Sequence, residues 1–231
     1  MSIPVPAMNE HGFRHDIKKC RRAIIPVGSL EQHGAHLPVS TDALIAEYIA
    51  HQVAANVGAF VLPVIAYGVS YEHAPMFNVS VSNSALSSLV RDACASLADN
   101  GIKDIVVLNG HHGNIGALKR VAWGLKVKAG ASVHTLHYWH FMKQELGHAG
   151  DAETSLILAI APELVHMERA RPGSKKPSKA AYAKMTERPG SFVKVTGNGV
   201  WGDPRKASAE KGKTLIQEIT AGITKTISEL A

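Results

Sequence analysis

The segment VGSLEQHGAHLPVSTD, residues 27–42, joins a predicted strand to a predicted helix. The apolar run at 23–27 is typical of a buried strand, and apolar residues recur at helical spacing from Ala43 onward. We therefore expect the segment to leave the carboxyl end of a strand, which is where α/β sheets hold their functional sites.

Four side chains of this segment are candidate metal ligands: Glu31, His33, His36 and Asp42. Imidazole nitrogens and carboxylate oxygens suit zinc, manganese or iron(II). A second interpretation needs no metal, because Asp42 stands where a helix N-cap would stand and Glu31 or His36 could be solvated loop residues. The segment alone leaves both interpretations open.

The strand-then-helix pattern recurs along the chain. Further strands are predicted at 59–64, 104–108 and 132–137. Four such units in succession imply a mainly parallel sheet with helices on both faces. We predict one domain over residues 1–231, with an irregular lead-in at 1–22 and a closing helix at 207–230.

Each later strand also runs into a loop that contains histidine. Glu72 and His73 follow the second strand, and because neighbouring side chains point in different directions we expect at most one of them to face a site. After the third strand, the sequence NGHHGN at 109–114 permits a tight bend that aims His111 or His112 into the crevice. A phosphate-binding loop has similar glycine content, but this loop lacks GxGxxG and the Walker lysine.

The fourth strand leads to His148 and then to Glu153 in a first helical turn. A carboxylate is favourable there for the helix dipole alone, but its place after a histidine-glycine loop favours a site. Trp139 is predicted either to wall a pocket or to lie in the core. The sequence does not indicate where His137 and His140 point.

The amino-acid composition limits which other classes of protein this chain can belong to. Of the 231 residues, 45% are hydrophobic and 19% charged, as in a compact α/β enzyme. The net charge of +6 is spread out, and its densest group, at 18–22, carries no aromatic residues, so nucleic-acid binding is disfavoured. The isolated Cys20 and Cys94 favour a reduced, cytoplasmic compartment, and no signal peptide or membrane span is predicted.

Residues 169–206 form a long predicted loop, with only 191–195 as a possible strand. Its basic residues are Arg169, Arg171, Lys175, Lys176, Lys179 and Lys184. A loop of this length in a compact domain is usually functional or an oligomer contact.

Taken as a set, three motifs resemble the creatininase (creatinine amidohydrolase) family. They are PVGSLEQHG at 26–34 with Thr41-Asp42, LNGH at 108–111 with Gly113-Asn114, and HAG at 148–150 with Glu153-Thr154-Ser155. The block at 199–213 also looks like that family's C-terminal part. The resemblance runs from about Ile24 to the end of the chain.

The resemblance implies a three-layer α/β/α sandwich with two divalent metal ions, zinc, manganese or iron. Carried over by position, Glu31 and His111 hold one metal, His33 holds the other and Asp42 bridges them. His148 is the implied proton donor to the leaving nitrogen. In creatininase itself, the counterpart of the second motif looks like Asn-Gly-His-x-Glu-Asn, and its glutamate is a metal ligand.

This chain carries Gly113 in place of that glutamate. The carboxylate must then come from elsewhere, and the resemblance to relatives that carry the glycine version implies Glu153, as a metal ligand and catalytic group. Because of this difference, the resemblance does not assign creatinine as the substrate.

The implied activity is hydrolysis of a small-molecule amide, formamide or cyclic amide by attack of a metal-bridging hydroxide. The resemblance also allows two alternative activities. One is a formamidopyrimidine nucleotide deformylase of flavin or deazaflavin biosynthesis, and the other is a small-peptide hydrolase of the mycofactocin type. A non-enzyme alternative is a metal-stabilised ligand-binding domain. The family also implies a homo-oligomer, as a hexamer.

Overall fold

The computed structural model describes residues 2–124, 130–173, 185 and 188–230. Its strands are β1 (Ser2–Pro4), β2 (Arg22–Val27), β3 (Ala59–Val61), β4 (Asp104–Asn109) and β5 (Ser132–His137). Its helices are α1 (Glu10–Asp16), α2 (Thr41–Val57), α3 (Asn83–Asp99), α4 (Ile115–Gly124), α5 (Asp151–Ile160), α6 (Ser191–Thr196) and α7 (Ala209–Glu229). The predicted basic positions Lys175, Lys176, Lys179 and Lys184 lie outside the described residues.

The five strands form one sheet in the order β1-β3-β2-β4-β5, and every pair is parallel. Side chains alternate across the sheet, so adjacent residues of β2 enter different cores: Ile24 packs on one face and Ile25 on the other. The central strands β2, β3 and β4 are apolar and buried over most of their length because both faces are covered, as is usual for parallel sheets. The predicted mainly parallel sheet is confirmed.

Helices cover both faces and complete three layers. The core that contains Ile24 and Val106 also takes in residues of α2, α5 and α7. The core that contains Ile25 and Val107 takes in residues of α3 and α4. The predicted α/β/α arrangement is thus observed. Within the described residues, no helix combines the length and the apolar character needed to cross a membrane.

The prediction of an irregular lead-in at 1–22 was wrong. Residues Ser2–Pro4 pair with β3 at the sheet edge, and Asn9 caps α1 by accepting a hydrogen bond from the Gly12 N–H. Helix α1 packs on the sheet through Phe13, whose ring centroid lies 5.3 Å from that of Phe60. Both elements are too short to show a periodic pattern, so they depend on these tertiary contacts.

The possible strand at 191–195 is instead the helix α6. Gly190 and Gly197, both at positive φ, bound it, and its buried face consists of Ser191, Phe192 and Thr196. The aromatic and β-branched residues there resemble a strand locally. In this helix Phe192 packs against the rings of His73 and His148, neither of which belongs to a strand.

The loops that follow β2, β3, β4 and β5 leave the same edge of the sheet, because parallel strands end on one side. Gly110 brings the loop after β4 against the start of α2: a Cβ there would lie only 2.5 Å from the Asp42 carbonyl oxygen. This close approach sets His111 beside Asp42. The strand order reverses around β2, which is where α/β sheets place their ligand crevices.

Candidate active site

All five predicted ligands meet at this edge of the sheet. Glu31 and His33 lie in the loop after β2, Asp42 in the first turn of α2, His111 after β4 and Glu153 in the first turn of α5. All are buried, with exposed fractions between 0% and 5%. Five titratable groups rarely share so small a buried volume unless they pair or bind a cation.

Asp42 is not a helix N-cap. Helix α2 begins at Thr41, and Ser40 occupies the cap position. The carboxylate of Asp42 instead lies between two imidazoles, with Oδ1 3.2 Å from His33 Nε2 and Oδ2 2.9 Å from His111 Nδ1. A carboxylate that bridges two cations needs this arrangement, with each oxygen directed to a different set of ligands.

Hydrogen bonds to backbone carbonyls orient these two imidazoles. The Nδ1–H of His33 donates to the carbonyl oxygen of Glu31 at 3.1 Å, and the Nε2–H of His111 donates to that of Val69 at 2.9 Å. A carbonyl oxygen can only accept, so these nitrogens carry hydrogen. The opposite nitrogens, which face Asp42, are therefore the ones available as ligands, as in many metal sites.

The glutamates are anchored in a similar way. Glu31 Oε2 accepts a hydrogen bond from the Ser29 hydroxyl at 2.9 Å, and Glu153 Oε2 accepts one from the Ala149 N–H. Glu153 Oε2 also lies 3.9 Å from His33 Nε2. Both carboxylates thus keep further lone pairs for a ligand.

Three buried polar atoms at the centre, Glu31 Oε1, His33 Nε2 and Asp42 Oδ2, make no hydrogen bond of good geometry, although a carboxylate oxygen or an imidazole nitrogen lies 2.9–3.2 Å from each. Leaving such atoms unpaired costs free energy. Ligand atoms also converge within 4.8 Å in two groups that share no residue, Glu31-Asp42-His111 and His33-His148-Glu153. The residues therefore fit divalent cations, which would satisfy these atoms and balance the carboxylates.

The pKa values show how the metal-free cluster balances its charge. Burial opposes a charged imidazole, but Asp42, Glu153 and Glu31 together outweigh it at His33 and raise the pKa to about 9. Glu31 and Asp42 likewise raise the pKa of His111 to about 10. Burial would raise the pKa of Asp42, yet His33 and His111 hold it below its ordinary value. Burial raises the pKa of Glu153 to about 7. Without a cation, His33 and His111 would therefore carry protons at neutral pH, close to where a cation would bind.

His36 does not join the cluster. Its Nε2 lies 3.0 Å from the Thr154 hydroxyl, and burial, with a contribution from His33, lowers its pKa to about 4. His36 is therefore a buried neutral side chain outside the ligand cluster.

A cavity of about 700 Å³ opens onto the cluster. Trp139, His112 and His140 line it, so Trp139 is a wall residue. His137 stacks on Trp139 with ring centroids 5.1 Å apart and its Nδ1 lies 3.0 Å from the Asn109 amide nitrogen. These three histidines are separate from the ligand groups found among the described residues.

Glu72 and His73 both line this cavity and both are buried, so the expectation that at most one would face the site was wrong. They lie in a single 3₁₀ turn at Tyr71–His73, and the site surrounds that turn from two sides. Glu72 approaches Gly113 on one side, and His73 approaches Glu31 on the other. Burial raises the pKa of Glu72, although His111 opposes the shift.

The chain matches the family model for creatininase, described as creatinine amidohydrolase, over residues 6–227. A mycofactocin precursor peptide peptidase of Mycobacterium tuberculosis is 37% identical over 206 residues, covering 84% of this chain and 79% of that protein. A creatinine amidohydrolase of Pseudomonas putida is 28% identical over 236 residues, covering 89% and 88%. A solved mutant creatininase of the Zn-Zn type superposes with a TM-score of 0.82 at 26% identity, covering 99% and 98%. The chain therefore belongs to the creatininase family of amidohydrolases, as its motifs predicted.

Proposed function

We propose that this protein is a dinuclear metal-dependent amidohydrolase that cleaves a small amide, formamide or cyclic amide bond. The observation that carries the proposal is the position of Asp42, whose two oxygens face His33 and His111 separately. The unpaired buried atoms around it support the same conclusion.

Glu31, Asp42 and His111 would hold one cation, and His33, Asp42 and Glu153 the other. When bound, two such cations lower the pKa of a shared water and polarise the scissile carbonyl. The chain's own contribution is to fix the ligand atoms, through the carbonyls of Glu31 and Val69 and the N–H of Ala149.

His148 is the proposed proton carrier. Its Nε2–H donates to the Gln32 carbonyl oxygen at 2.9 Å, so its Nδ1 is the nitrogen with a lone pair, 3.8 Å from Glu31 Oε1. Burial lowers the pKa of His148 well below its ordinary value, and His33 adds to the shift. A neutral imidazole at the cavity wall can accept a proton from the attacking water and deliver it to the leaving nitrogen.

The cavity lining favours a small substrate with both apolar and polar parts. Trp139, Met142 and Phe192 supply apolar surface, while His112 and Lys143 supply polar groups. A second candidate is hydrolysis of a short peptide, because the M. tuberculosis peptidase is more similar to this chain than the P. putida amidohydrolase. A substrate screen should therefore contain creatinine, small formamides, including a formamidopyrimidine nucleotide, and short peptides.

The first test is the metal content of freshly purified protein by elemental analysis. We expect about two equivalents of zinc, manganese or iron per chain, the stoichiometry of two-metal hydrolases. Asp42→Ala should lose both cations and all hydrolysis but keep its circular dichroism, since one carboxylate serves both sites. Asp99→Ala, at an exposed position near the end of α3, is the matched control and should keep both. An active and fully metallated Asp42→Ala protein would contradict the dinuclear proposal.

The assembly and location of the protein stay predictions. We expect a homo-oligomer, as a hexamer, which light scattering would measure against the 24.7 kDa chain. The exposed apolar side chains of Tyr67, Phe77 and Val79 lie in one segment and are consistent with a subunit contact. A cytoplasmic location is consistent with Cys20 and Cys94 both being free thiols.

A further inference from the structure

A third histidine approaches the candidate metal ligands. His73 is buried, and its Nε2 lies 3.1 Å from Glu31 Oε1. The ligand atoms of Glu31, His73 and His148 converge within 4.8 Å, so distance alone allows another cation site here. A nitrogen can bind a cation only through a lone pair, so the question is which nitrogen of His73 carries the proton.

The amide of Gln32 answers this question because its own orientation is fixed. Its Nε2 lies 3.0 Å from the Gly199 carbonyl oxygen, which can only accept a hydrogen bond. Its Oε1 lies 3.0 Å from the Gly34 N–H, which can only donate. Exchanging the two amide atoms would break both bonds, so the amide has one orientation.

Two ring nitrogens lie near the second N–H of this amide, His73 Nδ1 at 2.9 Å and His148 Nε2 at 3.1 Å from Gln32 Nε2. His148 Nε2 carries the hydrogen that it donates to the Gln32 carbonyl oxygen and cannot accept, so the second N–H is directed to His73. His73 Nδ1 must therefore accept. A neutral imidazole that accepts at Nδ1 carries its hydrogen at Nε2, which is the nitrogen beside Glu31. The carboxylate oxygen there, Oε1, is buried and has no other hydrogen-bond partner.

We propose that His73 is a positioning residue that donates its Nε2–H to Glu31 Oε1 and does not bind a cation. Gln32 imposes this tautomer. Ser29 already donates to Glu31 Oε2, so the two donors would hold both oxygens and fix the plane of the carboxylate. This inference rests on the proposed function, since it assigns Glu31 as a ligand and His73 as its support.

Three variants at position 73 separate a donor from a ligand. The amide nitrogen of glutamine reaches about as far as histidine Nε2, so His73→Gln keeps a donor toward Glu31. His73→Asn reaches only as far as Nδ1, and His73→Phe keeps the ring packing against Phe192 without any donor. We expect His73→Gln to bind zinc within about threefold of wild type, and the other two to bind one cation about 10–100-fold more weakly.

The readouts are zinc affinity and stoichiometry by competition with a chromophoric chelator, with circular dichroism to verify folding. Ring ¹⁵N shifts of the zinc-loaded wild type supply a measurement that needs no variant. They should show His73 protonated at Nε2, and Gln32→Met should remove that preference.

Failure of this inference differs from failure of the proposed function. A wild-type protein that binds no cation would overturn both. A wild type with two cations and a His73→Phe variant of equal affinity would overturn the positioning role alone. Loss of a full equivalent of zinc in His73→Gln, or a ¹⁵N shift of cation-bound Nε2, would identify His73 as a ligand and overturn it as well.

Discussion

Gly113 stands where the creatininase-like motif Asn-Gly-His-x-Glu-Asn has its glutamate. A Cβ at this position would lie 2.1 Å from the Val69 carbonyl oxygen and 2.5 Å from His111 Nε2. These two atoms are hydrogen-bonded to each other and orient His111. The glycine therefore lets the loop after β3 approach His111, and in this chain a side chain at position 113 would separate them.

Gly113→Ala should accordingly weaken both the fold and the site. We expect a loss of about 1–3 kcal/mol in the free energy of unfolding, as for overpacked interiors, and weaker zinc binding through His111. Urea unfolding of the metal-free protein and zinc titration measure the two effects.

The matched control is Gly116→Ala, at an exposed position in α4, where the new Cβ meets only the Asn83 side chain at 3.3 Å. A helical alanine there should add about 0.5–1 kcal/mol. Equal stability of Gly113→Ala and wild type would show that the loop does not need the glycine.

Residue type alone predicted which side chains could bind a metal, but not which histidine would do so. His33 and His36 lie in one loop, and only long-range contacts separate their roles: His33 faces Asp42, while His36 faces Thr154. Gln32 was missed entirely, because an amide carries no metal chemistry of its own. Its place between Glu31 and His33 was the only signal in the sequence.

At the level of elements, the long apolar strands and amphipathic helices could be predicted because burial imposes their periodicity. The short elements could not. Strand β1 exists because β3 offers it an edge, and α6 exists because Phe192 reaches the rings of His73 and His148. In both cases the deciding partner lies far away in the sequence.

The loops at the strand ends concentrate charge, and this has a measurable consequence. In the metal-free protein the pKa values of His33 and His111 are about 9 and 10, so both imidazoles are protonated at pH 7.5. Both must lose that proton to act as ligands. Zinc binding at pH 7.5 should therefore release about two protons per chain, and Glu153, with a pKa of about 7, should add a fraction.

The sign of the pH dependence follows directly. Protons compete with zinc, so the affinity should rise with pH until it passes the pKa of His111. Calorimetric titration in two buffers of different ionisation enthalpy gives the proton count. His36→Gln is the control: the pKa of His36 is about 4, so it carries no proton to release and the count should not change. Zinc binding without proton release would contradict the ligand assignment.

At the scale of the whole molecule, we expect the fold to be independent of the site. Two apolar cores flank the sheet, and the largest fully buried side chains include Phe60, Ile24 and Leu156, which lie outside the ligand groups. A chain of this length buries roughly 70–75% of its unfolded surface without a metal. Stability without a metal would distinguish a catalytic cation site from the alternative, a domain that folds only when its metal is bound.

Removal of the cations should therefore lower stability without unfolding the protein. After chelation with EDTA we expect an unchanged far-ultraviolet circular dichroism spectrum and a cooperative thermal transition. Each cation present at 100 times its Kd adds about 2.7 kcal/mol, or about 5–10 °C for a chain of this size, and this increment should be lost and then restored by zinc. Asp42→Ala should show the low Tm with or without EDTA. Loss of the helical spectrum on chelation would instead identify a metal-stabilised binding domain, because only there does metal binding supply the free energy of folding.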